Sequence, residues 1–232
     1  MKIIAIMLMI ILAGLASVPW LQRHLPSHWN PFTPLEVSDP PGLVTRYKLQ
    51  RIRHDPAACL AVLQRAREAG FISFTQPAAI RGTCSLESPI RIQRFARVTL
   101  SSSFLASCPL AVSSTMFVIQ ANQMAVASPL ASPLRRIDHV GSYACRNIYH
   151  RAQGRLSEHA TADAWDVTAF RLANGTQISV ERDWHKTGAE AALLHQWFNS
   201  SCAWFGNSLG PDYNAAHASH FHLGMRGYAL CR

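Results

Sequence analysis

Two histidine-bearing segments far apart in the chain constrain its fold more than any other feature. The first is Ser157-Glu158-His159 with Asp166 seven residues after the His; the second is His217, His220 and His222. Ala164–Phe170 reads AWDVTAF, an apolar run rich in β-formers, which places Asp166 on a strand and His159 in the turn leading to it. His220 and His222 alternate with Phe221 and Leu223, so on a strand both imidazoles face one side and both apolar groups the other. A sheet that buries Phe221 and Leu223 therefore turns both histidines to one face, where a neighbouring strand can present Asp166. Two imidazoles and a carboxylate fill three tetrahedral positions around a catalytic Zn²⁺ and leave the fourth for water. The chain has 11 His, and a lone one is more often a surface or core residue than a ligand. Here two motifs fall together on β segments, which a lone His does not.

Around these motifs, residues 137–232 read β-β-β-α-β. The expected strands are Ile137–Cys145, Ala164–Phe170 and Gln177–Arg182, with Asn174-Gly175 as a hairpin turn between the last two. A helix follows, with Thr187 as N-cap and Glu190 completing a capping box. Leu194, Phe198, Cys202 and Phe205 fall on its inner face, and the histidine strand then closes the sheet. The expected fold class is α+β, an antiparallel sheet with helices on one side. Residues 56–136 read as a scaffold without a catalytic motif. They comprise a helix over Pro56–Ala69 ended by Gly70, a strand over Arg94–Phe104, and a helix from Ser107 or Cys108 to about Met124 with Pro109 in its first turn.

The N-terminus places the chain across or beyond a membrane. Met1-Lys2 precedes an uncharged apolar run from Ile3 to Trp20, near the lower limit for a spanning helix and longer than most signal-peptide cores. Gly14-Leu15-Ala16 offers a signal-peptidase site before Ser17, while the run continuing past it favours an uncleaved anchor. Pro26, Pro31, Pro34, Pro40 and Pro41 mark residues 21–55 as a tether. Six Cys, at 59, 84, 108, 145, 202 and 231, lack the spacing of a zinc ribbon and point to disulfides in an oxidising compartment. Cys145–Cys202 is the best single pairing within the second half. The net charge is +9, and between Arg46 and Arg97 Lys and Arg outnumber Asp and Glu by ten to three. With no nucleic-acid recognition motif in an exported chain, anionic cell-wall polymers are the better partner.

The pattern S-x-H-x6-D with a late H-x-H resembles the zinc peptidases grouped with lysostaphin, the D-Ala-D-Ala metallopeptidases and the hedgehog domain. Its H-x2-H-x-H spacing is most similar to the penicillin-insensitive murein endopeptidases. A longer stretch, from GSYACR (141–146) through SEHATADAWDVTAF to LGPDYNAAHASHFHLGM, resembles the bacterial extensin-like C-terminal domain family over roughly residues 55–225. One departure stands out: Ala162-Asp163-Ala164-Trp165-Asp166 replaces an expected Gly-Asn-Ala-Ile-Asp, tightening the turn and adding the Asp163 carboxylate near the metal. Spacing alone leaves open whether His220 or His222 is the ligand; the resemblance favours His159, Asp166 and His222 for one Zn²⁺. His220 is then the general base, and His217 stabilises an oxyanion or protonates the leaving amine. Ser157 orients a ligand or substrate, and Arg146, ending the first strand, grips a substrate carboxylate. The resemblance implies a hedgehog/D-Ala-D-Ala metallopeptidase-like fold and hydrolysis of peptidoglycan cross-links or stems on the periplasmic side of a bacterial envelope. Two other expectations stand beside it: a non-catalytic envelope-binding or structural protein that keeps the fold, and a hydrolase of another envelope ester or amide.

Overall fold

The computed structural model describes residues 2–227 and 230–232. Among them a single nine-stranded sheet runs β1 (Ser73–Thr75), β2 (Ile90–Phe95), β3 (Val98–Ala106), β4 (Leu134–His139), β5 (Ala164–Leu172), β8 (Phe221–Gly224), β7 (Asn207–Leu209), β9 (Leu230–Cys231). β6 (Gln177–Ser179) pairs with β5 on the edge that β8 also uses, at Ala169–Arg171 against Ala164–Val167. Most neighbours are antiparallel, but β3–β4 and β7–β9 are parallel. The expected all-antiparallel sheet is therefore corrected to a mixed one. The reason is α4 (Cys108–Ala127), which connects β3 to β4 and supplies the long crossover that parallel strands require.

Among the described residues six α-helices accompany the sheet: α1 (Lys2–His24), α2 (Leu43–Ile52), α3 (Pro56–Glu68), α4, α5 (Val180–Asp183) and α6 (Ala189–Ser201). α3 starts where the Asp55 carboxylate accepts from the Ala58 N–H at 2.9 Å, with Pro56 in its first turn. It ends at Gly70 (φ +78°), where Phe71 N–H reaches the Ala66 carbonyl at 2.8 Å and Gly70 N–H that of Arg67 at 3.0 Å, a Schellman closure. α4 is capped by the Ser107 hydroxyl. Its length and composition would suit a membrane, but Leu110–Val118 are buried in the body, so it is a core helix.

β5 organises the core. Trp165, Val167, Phe170 and Leu172 are all buried, although strict alternation would put the second pair on the opposite face. A bulge removes the conflict: His139 pairs with Val167 and Asp138 with Ala169, so Thr168 is the extra residue. All four side chains join the cluster formed with α4 and α6, and Asp166 is left on the other face of the sheet.

Several sequence expectations are corrected. Arg94–Phe104 is not one strand but parts of the β2–β3 hairpin, turned at Ala96 (φ +47°) without a glycine to announce it. The first strand stops at His139 rather than Cys145, because the Gly141 N–H bonds back to His139 Nδ1 at 3.0 Å and the chain turns away. β6 stops at Ser179, whose hydroxyl caps α5. Gly188 (φ +112°), not Thr187, precedes α6, and no side chain caps it. The disulfides are Cys59–Cys108, Cys84–Cys145 and Cys202–Cys231. Cys145–Cys202 is thus wrong: residues after His139 leave the sheet toward the loop holding Cys84, where Tyr143 donates to the Cys84 carbonyl at 2.6 Å, and Cys202 at the end of α6 meets β9. Residues 21–55 are not a loose tether either. Leu35 and Val37 enter the core, and α2 buries Leu49 and Ile52.

Candidate functional site

The register of β5 and β8 makes the centre. Trp165 opposes Leu223 and Val167 opposes Phe221 on the core face, so Asp166 and His222 oppose each other on the free face. His222 Nδ1 lies 3.0 Å from Asp166 Oδ1. His159 arrives by a different route, on the 3₁₀ turn Glu158–Thr161 capped by the Ser157 hydroxyl. Its Nδ1–H donates to the Ser142 carbonyl at 2.6 Å, which directs Nε2 to Asp166 Oδ2 at 3.1 Å. One nitrogen from each His and one Asp166 oxygen lie within 4.8 Å of one another, and all three side chains are buried. A donor set this tight could converge on one ion. The backbone-held tautomer of His159 is the arrangement that metal-ligating imidazoles usually have.

Glu158 completes the centre, and sequence reading gave it no role. It is 7 % exposed, its carboxylate accepts from the Arg226 N–H at 2.7 Å and from the Asn207 amide at 3.0 Å, and Oε2 lies 3.5 Å from His222 Nε2. A Cβ at position 224 would sit 2.7 Å from both Glu158 oxygens, so Gly224 leaves the room this carboxylate occupies. His222 is thereby held between two carboxylates. A buried acid next to a motif His was the available signal, but its partners come from 49 and 68 residues downstream.

The electrostatics follow from that crowding. Burial alone would raise the Asp166 pKa, but hydrogen bonds from His159 and His222 reverse this and hold it far below the usual carboxylate range. Burial likewise opposes charge on His222, yet Asp166 and Glu158 together raise its pKa to about 9. Glu158 is also lowered despite burial, chiefly by its bond to His222.

His220 sits just before β8 on the same side as His222, its Nε2 3.8 Å from Asp166 Oδ1. Burial depresses its pKa against the pull of Asp166. His217 closes a 3₁₀ turn, and its Nδ1 is 2.7 Å from Asn214 Oδ1, which leaves Nε2 unengaged by that contact. Burial, reinforced by the neighbouring His222 and His220, lowers its pKa to about 4. The rings of His217 and His220 are 5.4 Å apart, those of His217 and His222 5.6 Å. Glu158, His159, Asp166, His217, His220 and His222 line one open cavity of about 520 Å³, together with Ser157, Arg146, Arg155, Arg226 and two tyrosines, Tyr149 and Tyr213. Arg146 lies in irregular chain rather than at a strand end, and its carbonyl accepts from the Ser157 N–H at 3.0 Å. Asp163 does not line the cavity, which corrects the expectation of an added carboxylate there; its carbonyl instead accepts from Met225 N–H. Ala162 does occupy a left-handed conformation (φ +53°), where glycine is the relaxed choice.

Residues 57–232 match the family described as extensin-like protein C-terminus, and the chain belongs to that family. Neither the curated proteins nor the solved structures contain a match.

Proposed function

We propose that this extensin-like chain is a zinc-dependent peptidase that hydrolyses peptide cross-links or stems of peptidoglycan in the bacterial cell envelope. One observation carries the reading: His159, Asp166 and His222 bring three ligand atoms within 4.8 Å of each other at the floor of an open cavity that also holds His217 and His220. These three residues would hold the Zn²⁺, which when bound supplies Lewis acidity to a scissile carbonyl and acidity to a water molecule. Ser142 and Glu158 orient the two imidazoles from behind. His220, depressed in pKa and close to Asp166, is neutral at neutral pH and accepts a proton from the attacking water. His217, with Nδ1 engaged by Asn214, presents Nε2 to stabilise an oxyanion or pass a proton to the leaving amine. Arg146, Arg155 and Arg226 give the cavity wall a positive cast suited to peptides with free carboxylates, and Ser157 holds the His159 turn.

Placement outside the cytoplasm is supported by three disulfides and by the apolar helix α1, none of whose residues is buried. We read α1 as an inner-membrane anchor with the body on the periplasmic side; cleavage near Ala16 would release it to the periplasm instead.

The test is digestion of purified peptidoglycan by Zn²⁺-loaded chain, with mass spectrometry of the products. Wild type is expected to release peptides. His220→Ala should keep its zinc and lose roughly 10²–10⁴-fold of the rate, the usual share of a positioned general base. His222→Ala should lose both metal and activity. Loss of zinc from His220→Ala with retention in His222→Ala would exchange their roles. A zinc-loaded wild type that cleaves no envelope peptide would favour a binding or structural protein.

A further inference from the structure

The segment after α1 is fastened to it. As a helix, the apolar run Ile3–Trp20 spans roughly 27 Å at ~1.5 Å per residue, close to the ~30 Å of a bilayer's hydrocarbon core. Trp20 therefore stands at the edge of that layer, 61 % exposed, with the His24 ring stacked on it at 4.7 Å. Beyond Pro26 the chain turns back through the 3₁₀ segment Ser27–Trp29. The Asn30 amide, fully buried, then donates to the Gln22 carbonyl at 2.9 Å. This single bond brings the start of the next segment level with the last turns of α1. Trp29 and Phe32 flank it, 63 % and 59 % exposed. Three large exposed aromatics thus lie within two residues of the Asn30–Gln22 bond, beside Arg23 and His24, the residue types that gather at a lipid–water boundary.

The same segment is locked to the body. The Lys48 ammonium of α2, 3 % exposed, donates to the carbonyls of Ser27 at 2.6 Å and Pro34 at 3.3 Å and to the Thr33 hydroxyl at 3.0 Å, with Asp39 3.7 Å away. Ser27 in turn donates to Asp39 at 2.7 Å. Arg65 of α3 binds Glu36 at 2.9 Å and the Leu35 carbonyl at 3.0 Å, and Arg46 of α2 reaches the Cys202 carbonyl at 3.3 Å. Side-chain bonds therefore run in series from α1 through residues 27–39 to α2 and α3.

We propose that residues 25–39 form a rigid collar resting in the lipid headgroup layer, with Trp20, Trp29 and Phe32 as its interfacial aromatics, so that the body is held at one attitude on a membrane surface. This rests on the reading of α1 as a membrane segment and is independent of the peptidase chemistry. A flexible tether would let the body sample all orientations; the collar fixes the height and tilt of the cavity.

The full chain is reconstituted in vesicles of phosphatidylcholine and phosphatidylglycerol that carry lipids brominated just below the headgroup, and tryptophan quenching is measured. Trp165, Trp184, Trp197 and Trp204 are at most 4 % exposed, so bromine in lipid reads Trp20 and Trp29 alone. Trp20→Phe and Trp29→Phe are each expected to remove a comparable share of the quenching. In the Trp20→Phe background, Asn30→Ala and Lys48→Met are expected to abolish most of the Trp29 share. Quenching of Trp20 without Trp29 overturns the collar and leaves the anchor standing. Quenching of neither residue removes the anchor reading and the collar with it. Full Trp29 quenching in both Asn30→Ala and Lys48→Met overturns the rigidity.

Discussion

Asp138 on β4 and Asp166 on β5 lie on the same face of the sheet, and each is gripped by two basic side chains. Asp138 accepts from Arg136 Nε at 2.6 Å and Arg171 Nε at 2.7 Å; Asp166 lies 3.1 Å from His159 Nε2 and 3.0 Å from His222 Nδ1. Both carboxyl pKa values are lowered against the effect of burial, in each case by the paired hydrogen bonds. The partners make the difference. A guanidinium offers only donors and stays charged at any physiological pH, so the Asp138 cluster can do nothing but hold two strands together. An imidazole can release its proton and present a lone pair. The Asp166 cluster is therefore a structural clamp whose imidazoles also offer ligand atoms, and of the two clusters it alone is buried beneath a cavity.

The hardest test of this contrast removes each carboxylate. Asp166→Ala is expected to weaken zinc affinity by at least ~100-fold, beyond the 10–100-fold typical for a residue that only supports a ligand. Asp138→Ala should leave zinc content unchanged. Titration calorimetry on both variants checks this, and equal losses would mean that the metal is not held at Asp166.

A smaller effect probes the support behind His222. Glu158→Gln keeps the shape but removes the charge facing His222 Nε2, and zinc affinity should fall ~10-fold with the fold intact. An unchanged affinity would assign Glu158 to packing alone. Gly224→Ala acts on the same carboxylate by crowding, since its methyl group would meet both Glu158 oxygens at 2.7 Å. We expect ~1 kcal/mol of destabilisation, seen as a melting shift of ~2–4 °C. A variant as stable as wild type would show that Glu158 has room to move.

The contrast also separates what a sequence can disclose from what it cannot. Asp166, His220 and His222 were legible because strand alternation fixes which face each one takes, and β8 pairs with β5 in the register that brings Asp166 to His222; His159 was legible only as the motif residue of the turn that leads into β5. Glu158 was not, because its position depends on Asn207, Arg226 and the space at Gly224, which only the folded chain assembles. The collar was misread for a similar reason. Its prolines announced an irregular backbone, and the side chains that fasten it, Asn30 and Lys48, are polar residues whose partners are mostly main-chain carbonyls. Carbonyls leave no trace in a residue pattern. The β2–β3 turn at Ala96 and the bulge at Thr168 are equally silent, since neither uses the glycine or asparagine that marks such sites.

The smallest expected effect belongs to Asp138→Asn. Arg136 and Arg171 are direct cross-strand partners, so their like charges face each other with only Asp138 between them. Both guanidinium groups are more than 40 % exposed, and solvent screens much of what the carboxylate contributes. We expect a loss of no more than ~1 kcal/mol at neutral pH. The pH dependence follows from the lowered pKa of Asp138 in the fold. The unfolded carboxyl protonates near pH ~4, so the stabilisation is fully present above that value. It fades as pH falls further, through the lower folded pKa, and wild type and variant converge in acid. Denaturant titrations at neutral and acid pH measure that convergence. A stability gap that persists below the folded pKa would mean that Asp138 acts through shape rather than charge, and a loss of zinc in this variant would join the two clusters that the sheet keeps apart.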